Sequence, residues 1–180
     1  MKTLFAALTF SALALLARAD FDLGTHGVLH LTEPTGWKIE SRETPGQGYG
    51  IAIAAPDSTD KALISVHYLP APKPIDRAKI DAQLTAFSQR FVDLSVEKKV
   101  VLKPYKLRQG YGVYTLFTDA SLVGKPAKAN DYKVAVSGMI QLNESTQILV
   151  TQATDDPSGA NFAALQKVVE ALRISPPAKP

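Results

Sequence analysis

The chain is 180 residues long with a formal charge of +3, 46% hydrophobic and 21% charged residues, and no cysteine. That composition belongs to a globular chain and excludes a disordered tract, a collagen-like repeat and a disulfide-stapled miniprotein. The missing thiols also exclude a thiolate metal site and a cysteine-linked lipid anchor.

Residues 1–19 read as a secretory signal. Lys2 supplies the basic start, Leu4 to Leu16 an uncharged apolar run, and Ala17-Arg18-Ala19 the small–x–small pattern before a cut between Ala19 and Asp20. The apolar run is thirteen residues, about 20 Å of helix against roughly 30 Å of bilayer hydrocarbon, so no membrane span is expected after cleavage. The chain is therefore expected to be exported, to a periplasm or outside the cell. Processing would leave 161 residues with 18 basic and 17 acidic side chains, a net charge of +1. So small a charge sets up no general attraction for polyanions, and nucleic acid is not an expected partner. A single domain over residues 20–175 and a disordered tail at 176–180 are expected.

Val28 to Thr32 and Trp37 to Ser41 read as strands joined through Glu33-Pro34-Thr35-Gly36, with proline and glycine where a tight turn wants them. Pro45-Gly46-Gln47-Gly48 breaks the chain, and a second pair follows at Tyr49 to Ala55 and Ala62 to Tyr68. In the latter, Ile64, Val66 and Tyr68 alternate with Ser65 and His67, the period of a half-buried strand. The proline-rich connector 69–74 is too stiff for helix or ladder. It leads into a helix from about Asp76, its N-cap, to Leu94, whose stripe Ile80, Leu84, Phe87, Phe91 and Leu94 should face the core. Strands resume at Val100 to Leu107, Tyr111 to Thr118, Tyr132 to Leu142 and Gln147 to Ala153, the last two as a hairpin. Asp156-Pro157 opens a final helix with a stripe of Phe162, Leu165, Val169 and Leu172.

Hairpin-joined strands with two amphipathic helices predict an α+β fold, an antiparallel sheet packed by two main helices. The Pro34-x-Gly36-Trp37 turn into a strand, the long mid-chain helix, the late meander and the C-terminal helix resemble the PsbP/Mog1-like group, which includes exported bacterial proteins of the DcrB type. The resemblance runs over residues 27 to 175 in architecture and order. It implies an α/β/α sandwich used as a binding or accessory module, and it carries no catalytic residue onto this chain.

Catalytic motifs are incomplete. The nearest approach to a nucleophile elbow, Val136-Ser137-Gly138, lacks the first glycine, and Gly46-x-Gly48 and Gly110-x-Gly112 lack the strand–turn–helix setting of a phosphate loop. His26 and His30 would share a zinc ion on a helix, but their neighbours favour a strand, and His30 could instead approach His67 across a sheet. Asp119, Asp131 and the Asp155-Asp156 pair could do acid–base work if burial separated their pKa values, and Asp119 and Asp156 also suit turns and caps. No enzyme activity, metal or cofactor is expected.

The least ordinary feature is basic. Lys98, Lys99, Lys103, Lys106 and Arg108 fall within eleven residues that contain no acid, with Tyr105 and Tyr111 alongside. On a strand, Lys106 and Arg108 point one way and Lys103 the other. Lysine also guards strand edges against mispairing. Lys103, Tyr105, Lys106, Arg108 and Tyr111 are accordingly the candidate partner-binding residues, for an unknown protein or an anionic envelope component. An exported non-catalytic binding or accessory protein is the expected function. The alternatives are a carrier of a small molecule or lipid with an apolar pocket lined by Trp37, Phe87 and Phe91, and a hydrolase using Asp119 or a histidine.

Overall fold

A computed structural model of the chain describes residues 17–56, 58–125 and 131–177. The apolar run of the expected signal and the last three residues of the expected tail lie outside them. The first strand, β1 (Ala17–Asp22), folds back on β2 (Val28–Glu33) through a 3-10 turn at Gly24–His26. Gly27 closes that turn with φ 103°, and a Cβ there would lie 2.1 Å from the Ser175 carbonyl oxygen, so only glycine fits.

The chain then enters β3 (Lys38–Thr44), β4 (Gly48–Ala54) and β5 (Lys61–Tyr68), each antiparallel to the one before. The expected hairpin between residues 28–32 and 37–41 does not form, because β2 and β3 belong to different sheets. Each has another local partner. The Gln47 N–H donates to the Thr44 carbonyl at 2.9 Å and closes β3 on β4, while β1 claims β2. Loop closure costs nearly the same for connections this short; with both strands paired elsewhere, Pro34-Thr35-Gly36 becomes a crossover between the sheets.

Helix α1 (Arg77–Val92) starts where the sequence places it, with the Asp76 carboxylate accepting from the Lys79 N–H at 3.0 Å. Its buried face is Ile80, Leu84, Ser88 and Val92, a corrected version of the expected stripe. Phe87 flanks that face at 37% exposure, and Leu94, beyond the helix end, is 70% exposed. Phe91 packs on Phe117 with ring centroids 5.6 Å apart, and the Arg90 guanidinium covers both helix phenylalanines. The buried line advances by steps of four, each about 40° round the helix, and so winds away from the expected stripe, which drifts only about 20° per heptad the other way.

Strand β6 is only Lys103–Pro104, since proline offers no N–H to prolong the expected 100–107 ladder. Strands β7 (Tyr111–Thr118), β8 (Val134–Asn143) and β9 (Thr146–Thr154) form the meander. Helix α2 (Ala160–Glu170) begins later than expected: the Asp156 carboxylate accepts from the Ser158 N–H at 2.9 Å in a turn that precedes it, and Gly159 is the N-cap. A last strand, β10 (Arg173–Ser175), pairs with β2.

The main sheet runs β3-β4-β5-β9-β8-β7-β6 and the small one β1-β2-β10, all antiparallel. Ile80 and Leu84 of α1 pack on Val113 and Met139, on one face of the main sheet. The larger core lies on the opposite face, where Leu165, Val169 and Leu172 join Leu29, Leu31 and Ile174 of the small sheet against Ile51, Ile64, Ile148 and Ile140. This is the α+β arrangement of helices packed on antiparallel sheet. Tyr105 crosses that core over Gly138, where a Cβ would meet its hydroxyl at 2.3 Å. Gly138→Ala should cost about 1–3 kcal/mol in urea melts, as overpacking does, and less in a Tyr105→Phe background, where the hydroxyl is gone; equal losses in both backgrounds would refute this origin.

Candidate binding site

The segment after β6 is held by two contacts. The Lys106 N–H donates to the Glu170 carboxylate at 3.0 Å, tying it to the end of α2. Gln109 brackets Ile174 of β10: its Oε1 accepts the Ile174 N–H at 2.7 Å, and its Nε2 donates to the Ile174 carbonyl at 3.3 Å. These ties bring Lys106 and Arg108 opposite Lys167 of α2 and Arg173 of β10. The four cations line one open cleft of about 650 Å³. Its floor is apolar, from Pro34, Ala164, Val168 and Ala171, and Thr32 adds a hydroxyl. The one acid in the lining, Glu170, already accepts the Lys106 N–H.

The five candidate residues therefore separate. Lys106 and Arg108 join the cleft, while Lys103 lines a neighbouring one of about 550 Å³ with Glu97, Tyr114 and Phe162. Tyr105 is 6% exposed and belongs to the core, with burial pushing its phenol pKa up, so it presents no surface to a partner. Tyr111 packs on the α1 face, donating to Asp81 at 2.9 Å under the Arg77 guanidinium. Lys98 is a turn residue, φ 53°, whose Nζ donates to the Asp93 carbonyl. Lys167 and Arg173 escaped the sequence reading. Lys167 lies off the apolar stripe of α2, which was a usable signal, but β10 is too short to show a period.

The histidines lie apart. His26 stacks on Tyr68 with centroids 4.2 Å apart, His30 sits in the small sheet, and His67 is exposed on β5 of the main sheet. His30 thus does not reach His67 across one sheet, and no group of three or more His, Asp or Glu among the described residues could hold a metal ion. Asp119 caps a 3-10 turn by accepting the Ser121 N–H at 2.8 Å, and the Ser121 side chain, together with that N–H, lowers its pKa. Asp155 accepts from the Lys133 N–H and from Thr59. Trp37 packs with the larger core, while Phe87 and Phe91 lie on the α1 side, so the three line no common pocket.

The structure does assemble a serine, a histidine and an aspartate, though not at Ser137, which is buried in β8. His30, 8% exposed, donates from Nδ1 to Asp20 Oδ1 at 2.8 Å, and its Nε2 meets Ser175 Oγ at 2.8 Å. Arg18 also contacts Asp20 and His30 Nδ1. Acyl transfer further needs donors aimed at the developing oxyanion, commonly main-chain N–H groups. Ile174 turns its N–H and carbonyl to Gln109, so alternation directs those of Ser175 into the β2 ladder, and residue 176 is a proline without an N–H. The cluster is a clasp: one imidazole holds β1 and β10 to β2. Among the described residues no helix is long and apolar enough to cross a membrane. No protein-family model matches the chain, and no curated protein matches it.

The clasp has a pH signature. The His30 hydrogen bond, aided by Arg18, holds the Asp20 carboxyl below its ordinary value despite the opposing effect of desolvation. Because the folded pKa is the lower one, the unfolded chain takes up the proton first as pH falls. The contribution is complete above about pH 5 and lost as the pH drops through the folded value. The stability difference between the wild type and Asp20→Asn, measured by urea melts across pH, should shrink as the pH falls through the acid range; a difference constant with pH would contradict the clasp.

Proposed function

We propose that this chain is an exported binding or accessory module on a PsbP/Mog1-like sandwich, and that it meets its partner through the basic cleft beside α2. The observation that carries this reading is the convergence of Lys106, Arg108, Lys167 and Arg173 on one concave surface whose single acid is already engaged. Four guanidinium and ammonium groups over a small apolar floor suit an anionic partner, and the two arginines add forked geometry for carboxylate or phosphate. The net charge of the expected mature chain is only +1, so the attraction is local to the cleft and should act within about a Debye length, 10 Å at 0.1 M salt.

The test is charge reversal on the folded protein. Lys106→Glu with Arg108→Glu should weaken retention on an immobilised poly-glutamate matrix by at least about tenfold at low salt, with a smaller loss as salt rises. Lys103→Glu, outside the cleft, should change retention little. Equal losses from both variants would return the lysines to general surface charge and remove the cleft from the proposal.

A further inference from the structure

Strand β1 straddles the expected cut. Ala17, Arg18 and Ala19 pair with Glu33, Thr32 and Leu31, while Asp20, Phe21 and Asp22 pair with His30, Leu29 and Val28. The contacts that fasten β1 fall mainly on the downstream half. Asp20 is held by His30, the Phe21 ring lies 6.0 Å from that of Tyr49, and the Tyr49 hydroxyl donates to the Asp22 carbonyl at 2.9 Å. Upstream, Arg18 reaches only groups of this same clasp, and neither Arg18 nor Ala19 belongs to a core cluster. Cleavage before Asp20 would leave a fastened three-residue stub and remove the other three residues without opening the core.

Removal uncovers a specific stretch of β2. The small strand β10 pairs only with residues 28–30, so Leu31 to Glu33 have β1 as their sole ladder partner. Because Ile174 faces outward to Gln109, its partner Leu29 turns its main chain towards β1, and by alternation so do Leu31 and Glu33. The N–H and carbonyl groups of Leu31 and Glu33 would then be free. Thr32, between them, lines the basic cleft. The residue facing Thr32 across the ladder is Arg18, which is lost with the leader. Directly paired side chains lie on one face about 5 Å apart, so an acid at that position would lie beside the cleft where a cation stood.

We infer that processing between Ala19 and Asp20 opens an edge of β2 that accepts an extended acidic segment of a partner protein as an added strand, main chain to Leu31 and Glu33 and carboxylates to the cleft. Strand addition of this kind draws affinity from main-chain hydrogen bonds and selectivity from alternate side chains. The inference rests on the reading of the cleft as the anion-binding surface and on the expected cut.

The experiment compares processed protein, purified from an exporting host with its N-terminus verified as Asp20, with the chain beginning at Ala17. Thermal melts confirm that both are folded. The probe is a fluorescent ten-residue peptide alternating Glu with Val or Thr, and its control carries the same charges with prolines that block pairing. Anisotropy should show the alternating peptide binding the processed form at least about tenfold more tightly than the Ala17 form. The proline peptide should lose that advantage. Equal binding of the alternating peptide to both forms, abolished by Lys106→Glu with Arg108→Glu, would overturn strand addition and leave the cleft standing. Absence of binding to either form would overturn both.

Discussion

Seven strands about 4.8 Å apart make a sheet roughly 29 Å wide, and the face that carries Ile51, Ile64, Ile148 and Ile140 must be shielded across that width. A helix with side chains covers only about 10 Å of that width. Helix α2, eleven residues long, cannot close the larger core alone. The remainder is closed by the small sheet, and two of its three strands come from the two ends of the described chain. That requirement shapes everything else on this face. A cover made of three separate pieces has seams, and the basic cleft is the seam between the end of α2, the start of β10, the end of β2 and the segment after β6.

The seam is kept narrow by hydrogen bonds rather than by packing. Glu170 binds the Lys106 N–H in the segment after β6, and Gln109 binds the Ile174 main chain at the outer edge of β10. A buried main-chain group left without a partner costs about 1–3 kcal/mol, so the fold constrains Gln109 at the half-buried edge of β10 more than it constrains Glu170, whose contact with Lys106 is exposed. Glu170 illustrates the consequence. It is the only acid in the lining, yet its carboxylate is already accepting the Lys106 N–H, and the positive field of the four cations faces solvent with correspondingly little internal compensation.

Much of the main sheet was legible because both its faces are covered unequally. Strand β9 buries Ile148, Val150 and Gln152 and leaves Thr151 exposed, so its period of two survives in the sequence, as it does in β5. The Asp76 cap was legible for a similar reason, a local hydrogen bond written in local residues. The small sheet was not. Its first strand begins inside a segment that reads as a leader, its last is three residues long, and its central strand sits next to a turn that suits a hairpin with β3. Tyr105 misled for another reason. Flanked by lysines in sequence, it enters the core because Gly138 leaves room for its ring, and no pattern within residues 98–108 announces a glycine on a strand thirty residues later.

The candidate site shows the same division. Lys106 and Arg108 were visible as part of a run without acids, but the run is not a surface: its members turn in different directions once β6 ends at Pro104. What makes two of them a site is their meeting with Lys167 and Arg173, which are local to nothing in that run. The clasp at His30 follows the same rule, joining residues 20, 30 and 175 through a single imidazole. Its placement orders the stability of the N-terminal strand. Residues from Asp20 onward are held by charge, ring contact and a phenol hydrogen bond, while those before it rest chiefly on their ladder bonds and on Arg18. Local opening follows the density of such contacts. The end of β1 that borders the cleft is therefore the part of the small sheet that gives way at least cost, and the strand edge most readily uncovered is the one that lies beside the positive charge.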